Sequence, residues 1–64
     1  MKIEDLTPAQ RVILRNIDPI SGRTFATPGA EGAFKKAAKA GLLEHIHGIT
    51  YAITDEGKRL QEQL

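Results

Sequence analysis

Lys35, Lys36 and Lys39 are the residues of this 64-residue chain whose type and spacing most plainly suggest chemistry. They fall on one side of any helix that spans them. A row of ammonium groups so placed neutralises phosphates, with salt-dependent and largely sequence-independent affinity. Arg23 and Thr27 precede the row and His47 follows it, and side chains of these types donate to phosphate oxygens. The competing reading is structural. Glu31 stands four residues before Lys35, and that pair would stabilise a solvated helix face. No Asn, Gln or Arg shares the lysine face to read bases, so sequence specificity is hard to place there.

Other chemistries find less to work with. His45 and His47, two apart, would share one strand face and offer two imidazoles to a metal. The chain has no third His and no Cys, and a metal site needs at least one more good ligand. Exposed hairpin histidines are therefore expected, and no metal or cofactor. Ser21, the only serine, has no elbow motif around it, so nucleophilic catalysis has no residues to carry it. Gly29-Ala30-Glu31-Gly32 matches the spacing of a phosphate-clamping G-x-x-G loop, but Glu31 would repel the phosphate. Pattern places Phe34 and Tyr51 inside, which leaves Phe25 alone as a surface aromatic, too few for base stacking. A binding module is expected, with no catalytic residues.

Length and composition agree with that reading. At 64 residues, 41% apolar and 27% charged, the chain forms one small domain over residues 1–64. Without cysteine it has no disulfide staple, which points to a reducing, cytoplasmic setting. Its apolar runs are far too short to span a bilayer. The net charge of +1 conceals an uneven distribution. Residues 11–39 carry six basic side chains against two acidic ones, whereas residues 40–64 carry two against four. A cationic middle between anionic ends suits a polyanionic partner.

Several elements must position these side chains. Thr7-Pro8-Ala9-Gln10 reads as a capped helix start with a capping box. Ala9, Ile13, Leu14 and Ile17, widened by Val12, then form its apolar stripe, and Asp18-Pro19 ends it. Thr24-Phe25-Ala26 reads as a short strand or a single helical turn. Thr27-Pro28 repeats the cap-plus-proline signature and opens a second helix to about Ala40, with Ala30, Ala33, Phe34 and Ala37 inward. Gly41 stops it. Ile49, Tyr51 and Ile53 alternate with Thr50, Ala52 and Thr54 as a half-buried strand. Leu43 to Ile46 would be its hairpin partner across His47-Gly48, setting His45 opposite Thr50. Thr54 or Asp55 caps a last helix carrying Leu60 and Leu64. The fold class is α+β, in the order helix, short strand or turn, helix, β-hairpin, helix.

The stretch Phe34-Lys35-Lys36-Ala37-Ala38-Lys39-Ala40-Gly41-Leu42-Leu43-Glu44 resembles the end of a winged-helix recognition helix running into its wing. Tyr51-Ala52-Ile53-Thr54-Asp55-Glu56-Gly57-Lys58-Arg59-Leu60 is similar to the Y-x-L-T-x-x-G-x-x-L ending of the multiple-antibiotic-resistance repressor family. Leu6-Thr7-Pro8-Ala9-Gln10 resembles the first helix start of such domains. The resemblance implies a small winged-helix-like domain that binds double-stranded DNA and regulates transcription. Lys35, Lys36 and Lys39 would lie on phosphate, Arg23 and Thr27 beside them, and the His47 hairpin next to the groove. Terminal helices form the two-fold interface in such regulators, which implies a weak homodimer through Leu6, Leu60 and Leu64; the competing reading packs all three leucines inside one monomer. Two features depart from the pattern: residues 18–27 leave no room for a full supporting helix, and the wing tip has no Arg or Lys. The alternative is the same scaffold binding an acidic protein surface.

Overall fold

The computed structural model describes residues 1–64. After a 3-10 turn at Ile3–Asp5 come α1 (Pro8–Asn16), β1 (Arg23–Phe25), α2 (Glu31–Lys39), β2 (Leu43–His47), β3 (Thr50–Ile53) and α3 (Asp55–Gln61). The class is α+β: three α-helices and a three-stranded antiparallel sheet in the order β1-β3-β2, a small winged-helix-like arrangement. The ambiguous stretch after the first helix is a strand, and no further helix stands between α1 and α2.

The start of α1 is fixed by the expected box. Thr7 Oγ1 accepts from the Gln10 amide at 3.1 Å, and Gln10 Oε1 accepts from the Thr7 amide at 3.0 Å. Ile13, Leu14 and the cap residue Ile17 are buried. Ala9 and Val12 do not join them, because the stripe that reaches the core is narrower than the sequence pattern suggests; both stay on the surface. Arg11 is folded inward. Its guanidinium donates to the carbonyls of Leu6 and Ile3, tying the N-terminal turn to the helix.

The second helix starts later than Thr27-Pro28 suggests. Gly29 turns left-handed at φ +86°, and the Thr27 carbonyl accepts from the Ala30 amide in a turn. Glu31 Oε2 takes the Gly29 amide at 3.0 Å, and the helix proper begins at Glu31 with Ala30 as an uncapped lead residue. The physical reason lies three residues on from each threonine. Gln10 can return a hydrogen bond to Thr7, but Ala30 has nothing to return to Thr27. At the other end Gly41, φ +85°, makes the left-handed stop that the sequence announces.

The hairpin also differs in register. Gly48-Ile49 forms the turn, and His45 pairs with Tyr51, not Thr50. A bulge at Ile46 then sets His47 against Thr50. Tyr51 and Thr50 are neighbours on β3 and lie on opposite faces, so the two histidines are separated, not gathered. Ile49, expected inside, is exposed on the turn.

The last helix closes the domain. Thr54 Oγ1 accepts from the Gly57 amide at 3.0 Å and donates to the Gly41 carbonyl. Gly57 lies against the Leu42 backbone, and Leu60 is fully buried. Gln61 Nε2 donates to the carbonyls of Leu14 and Ile17 at 2.7 and 2.8 Å, adding a donor at Leu14, which also takes the Ile17 amide, and supplying one to Ile17 just past the end of α1. The T-x-x-G-x-x-L spacing thus supplies a cap, a close approach and a core residue in one turn and a half.

Candidate nucleic-acid interface

Phe34 and Ala37 fasten α2 to the sheet, with the Phe34 and Tyr51 rings 5.5 Å apart. That anchoring turns the opposite side outward. Lys35, Lys36 and Lys39, at helical spacings of three and four, are all exposed there, with Gly32 one turn before Lys35 and Lys36. The expected Glu31–Lys35 pair is not formed, because Glu31 is engaged with the Gly29 amide. The ion pairs of the structure are elsewhere: Glu56 with Arg59 at 2.8 Å and with the N-terminal amine at 3.3 Å. None of the cations of residues 11–39 is paired with a carboxylate.

The other candidate residues lie on other elements. Arg23 is exposed on β1, opposite Ala52. Thr27 is exposed in the turn before α2, four residues ahead of the helix. Its hydroxyl therefore does not stand at the helix start as expected. His47 is exposed at the end of β2. His45 braces the hairpin instead. Its Nε2 donates to the Gly48 carbonyl at 2.8 Å, and its ring lies 4.9 Å from that of Tyr51. No group of three His, Cys, Asp or Glu side chains is gathered for a metal ion. No helix is long and apolar enough to cross a membrane.

Leu6 and Leu60 are core residues, and Leu64 packs against the same core. Leu6 and Leu60 are buried within the one chain, whereas Leu64 is half-buried and lines an open hollow with Arg15, Pro19 and Gln61.

Electrostatically, the one strongly perturbed carboxylate lies away from the lysines. The bidentate hydrogen bonds of Arg59 to Glu56, helped by the N-terminal amine, hold the Glu56 carboxyl down to about 2. That cluster neutralises acid on α3 and leaves the lysines of α2 as uncompensated charge. The sequence pattern does not foretell the surface between α1 and α2, where Ala9, Val12 and Ala33 line an open hollow with Phe25. Set against protein-family models, curated proteins and solved structures, the chain matches none of them.

Proposed function

We propose that this domain is a non-enzymatic DNA-binding module of the winged-helix type, a small transcriptional regulator that contacts duplex phosphates through α2. One observation carries the reading: three ammonium groups stand exposed on one helix face with no carboxylate paired to any of them. Lys35 and Lys39 are separated by about 6 Å along the helix axis, and duplex DNA presents a charge about every 1.7 Å of its length. One helix face can therefore meet several phosphates at once. Arg23 on β1, Thr27 in the turn before α2 and His47 at the end of β2 are supporting contacts, all three exposed. Since the lysine face of α2 presents no Asn, Gln or Arg, the binding is mainly to backbone.

The salt dependence of duplex binding tests this. Three phosphate contacts give a log–log slope of about −2.7, a loss of roughly 40-fold between 50 and 200 mM salt. Lys35→Ala, Lys36→Ala and Lys39→Ala combined should abolish binding while the far-ultraviolet circular dichroism stays that of the parent. Binding that is insensitive to salt, or a triple variant that binds as the parent does, refutes the assignment.

A further inference from the structure

Between α1 and α2 runs a groove made of two adjoining hollows of about 430 and 350 Å³ that share Ala9 and Ala33. Thr7, Gln10 and Lys36 line one end, and Val12, Phe25 and Phe34 the other. The apolar end is uncovered: Val12 is 53% and Phe25 60% exposed. The middle is built from small residues, Ala9 and Ala33 with Gly32 beside them, so a guest backbone meets little obstruction. No carboxylate lines either hollow, and the single ionisable group is Lys36. Arg23, two residues before Phe25 and on the same face of β1, adds a second cation beyond the apolar end.

We propose that this groove receives an acidic amphipathic helix of a partner protein. Its apolar side chains pack against Val12, Phe25 and Phe34, and its carboxylates reach Lys36 and Arg23. Charge favours an acidic guest: Lys36 is the one ionisable group in the lining, and the neighbouring Glu31 is turned to the Gly29 amide. Length fixes the helix. The groove follows α1 from Thr7 to Asn16, about 14 Å of helix, which accommodates anchors spaced i, i+3, i+4 and i+7 on a parallel guest helix. A second copy of this chain fits poorly. The exposed face of α2 is lysine-rich, the apolar residues of α3 are buried, and the surface apolar residues of α1 already form the groove wall. The apolar wall of Val12, Phe25 and Phe34 takes no part in phosphate contact, whereas Lys36 and Arg23 are shared with the duplex site, so substitutions in the apolar wall are what separate the two readings.

The test uses a synthetic helical peptide of about 14 residues with Leu at i, i+3, i+4 and i+7 and Glu on its flanks, beside a counterpart with Lys flanks. Amide resonances of Ala9, Val12, Phe25 and Ala33 should shift saturably with the Glu peptide. The Lys counterpart should bind about fivefold more weakly, and Lys36→Glu should remove that preference. Val12→Glu, at an exposed position where folding is readily checked by circular dichroism, should abolish peptide binding and leave duplex affinity unchanged; Phe25→Ser should weaken the peptide alone. Absence of saturable shifts, equal affinity for both peptides, or shifts centred on Lys39 overturns the proposal. So does a concentration-dependent dimer that Val12→Glu dissociates, which would seat a second copy in the groove, or loss of duplex binding in Val12→Glu, which would seat nucleic acid there.

Discussion

Replacing Gly57 by alanine probes how closely α3 is seated on the rest of the domain. A Cβ at this position would collide with the Leu42 carbonyl oxygen and would stand 2.8 Å from Ile53 Cγ1 and 3.3 Å from the Leu42 carbonyl carbon. The Leu42 carbonyl is not free to yield. It accepts from the Thr54 amide at 3.0 Å, and Thr54 in turn caps α3. Overpacking against a fixed backbone costs about 1–3 kcal/mol, toward the upper end when no side chain can rotate away. The gain in helix propensity from glycine to alanine returns at most about 1 kcal/mol. The net loss is about 2 kcal/mol, against a total of roughly 3–10 kcal/mol for a domain of this length. In a chain this short each kcal/mol moves the midpoint by about 4–8 °C, so Tm should fall by roughly 8–16 °C. Thermal and urea unfolding followed by circular dichroism would measure it. Gly32→Ala is the internal control: Gly32 is also helical, nothing approaches its added methyl, and the variant should melt a few degrees higher. If Gly57→Ala melts at or above the parent temperature, the close approach of α3 to Leu42 is not what the glycine serves.

Two further outcomes concern α3. The Glu56 carboxyl titrates at about 2 in the folded chain against an ordinary value of 4.5, so its ion pairs contribute fully above pH 4.5 and are lost as the pH falls from there toward 2. Melting curves should show that acid limb, shallower at high salt; a Glu56→Gln variant should lack it, and parallel limbs in both proteins would remove the pair from the stability account. Gln61→Ala should cost about 1–2 kcal/mol by stripping donors from the Leu14 and Ile17 carbonyls. Gln61→Glu, with the same shape but no proton to donate at neutral pH, should lose at least as much in urea midpoint. Full retention by the Glu variant would show that shape and not hydrogen bonding matters at this position.

What could be read in the sequence were features with two agreeing local signals. Thr7 has both a proline after it and a glutamine to answer it, and its helix begins where expected. Tyr51 and Ile53 alternate with smaller residues, and Thr54 is followed at the right interval by Gly57 and Leu60, so the strand and the final helix are in place. Thr27 carries one signal only, and the chain spends four residues in a turn before α2 begins. The hairpin register is hidden for another reason. Leu43-Glu44-His45-Ile46-His47 does not alternate cleanly, and a bulge at Ile46 reverses parity without leaving any mark in composition. The lysine face is legible because charged residues at helical spacing have only one place to go. The groove is not, because Ala9 and Val12 read as core on a helical projection. Only the tertiary arrangement reveals that no element covers them.

Gln61 donating back to Leu14 and Ile17 has a consequence for how the chain comes into being. Those partners are separated by 47 and 44 residues. Leu60, beside them, fills the core that α1 and the sheet only partly enclose. While the chain emerges from a ribosome, α1 can coil early, but its last carbonyls and the floor of its apolar side stay in water until residue 61 is free. The lysine helix is in the same position, since the Leu42 segment that ends it is locked only when Thr54 and Gly57 arrive. Folding is therefore deferred until nearly all of residues 1–61 has been made, and then proceeds as one cooperative step. A chain halted before that point would expose an unpaired β1 edge beside uncovered leucines, in a form open to proteolysis and not to any partner.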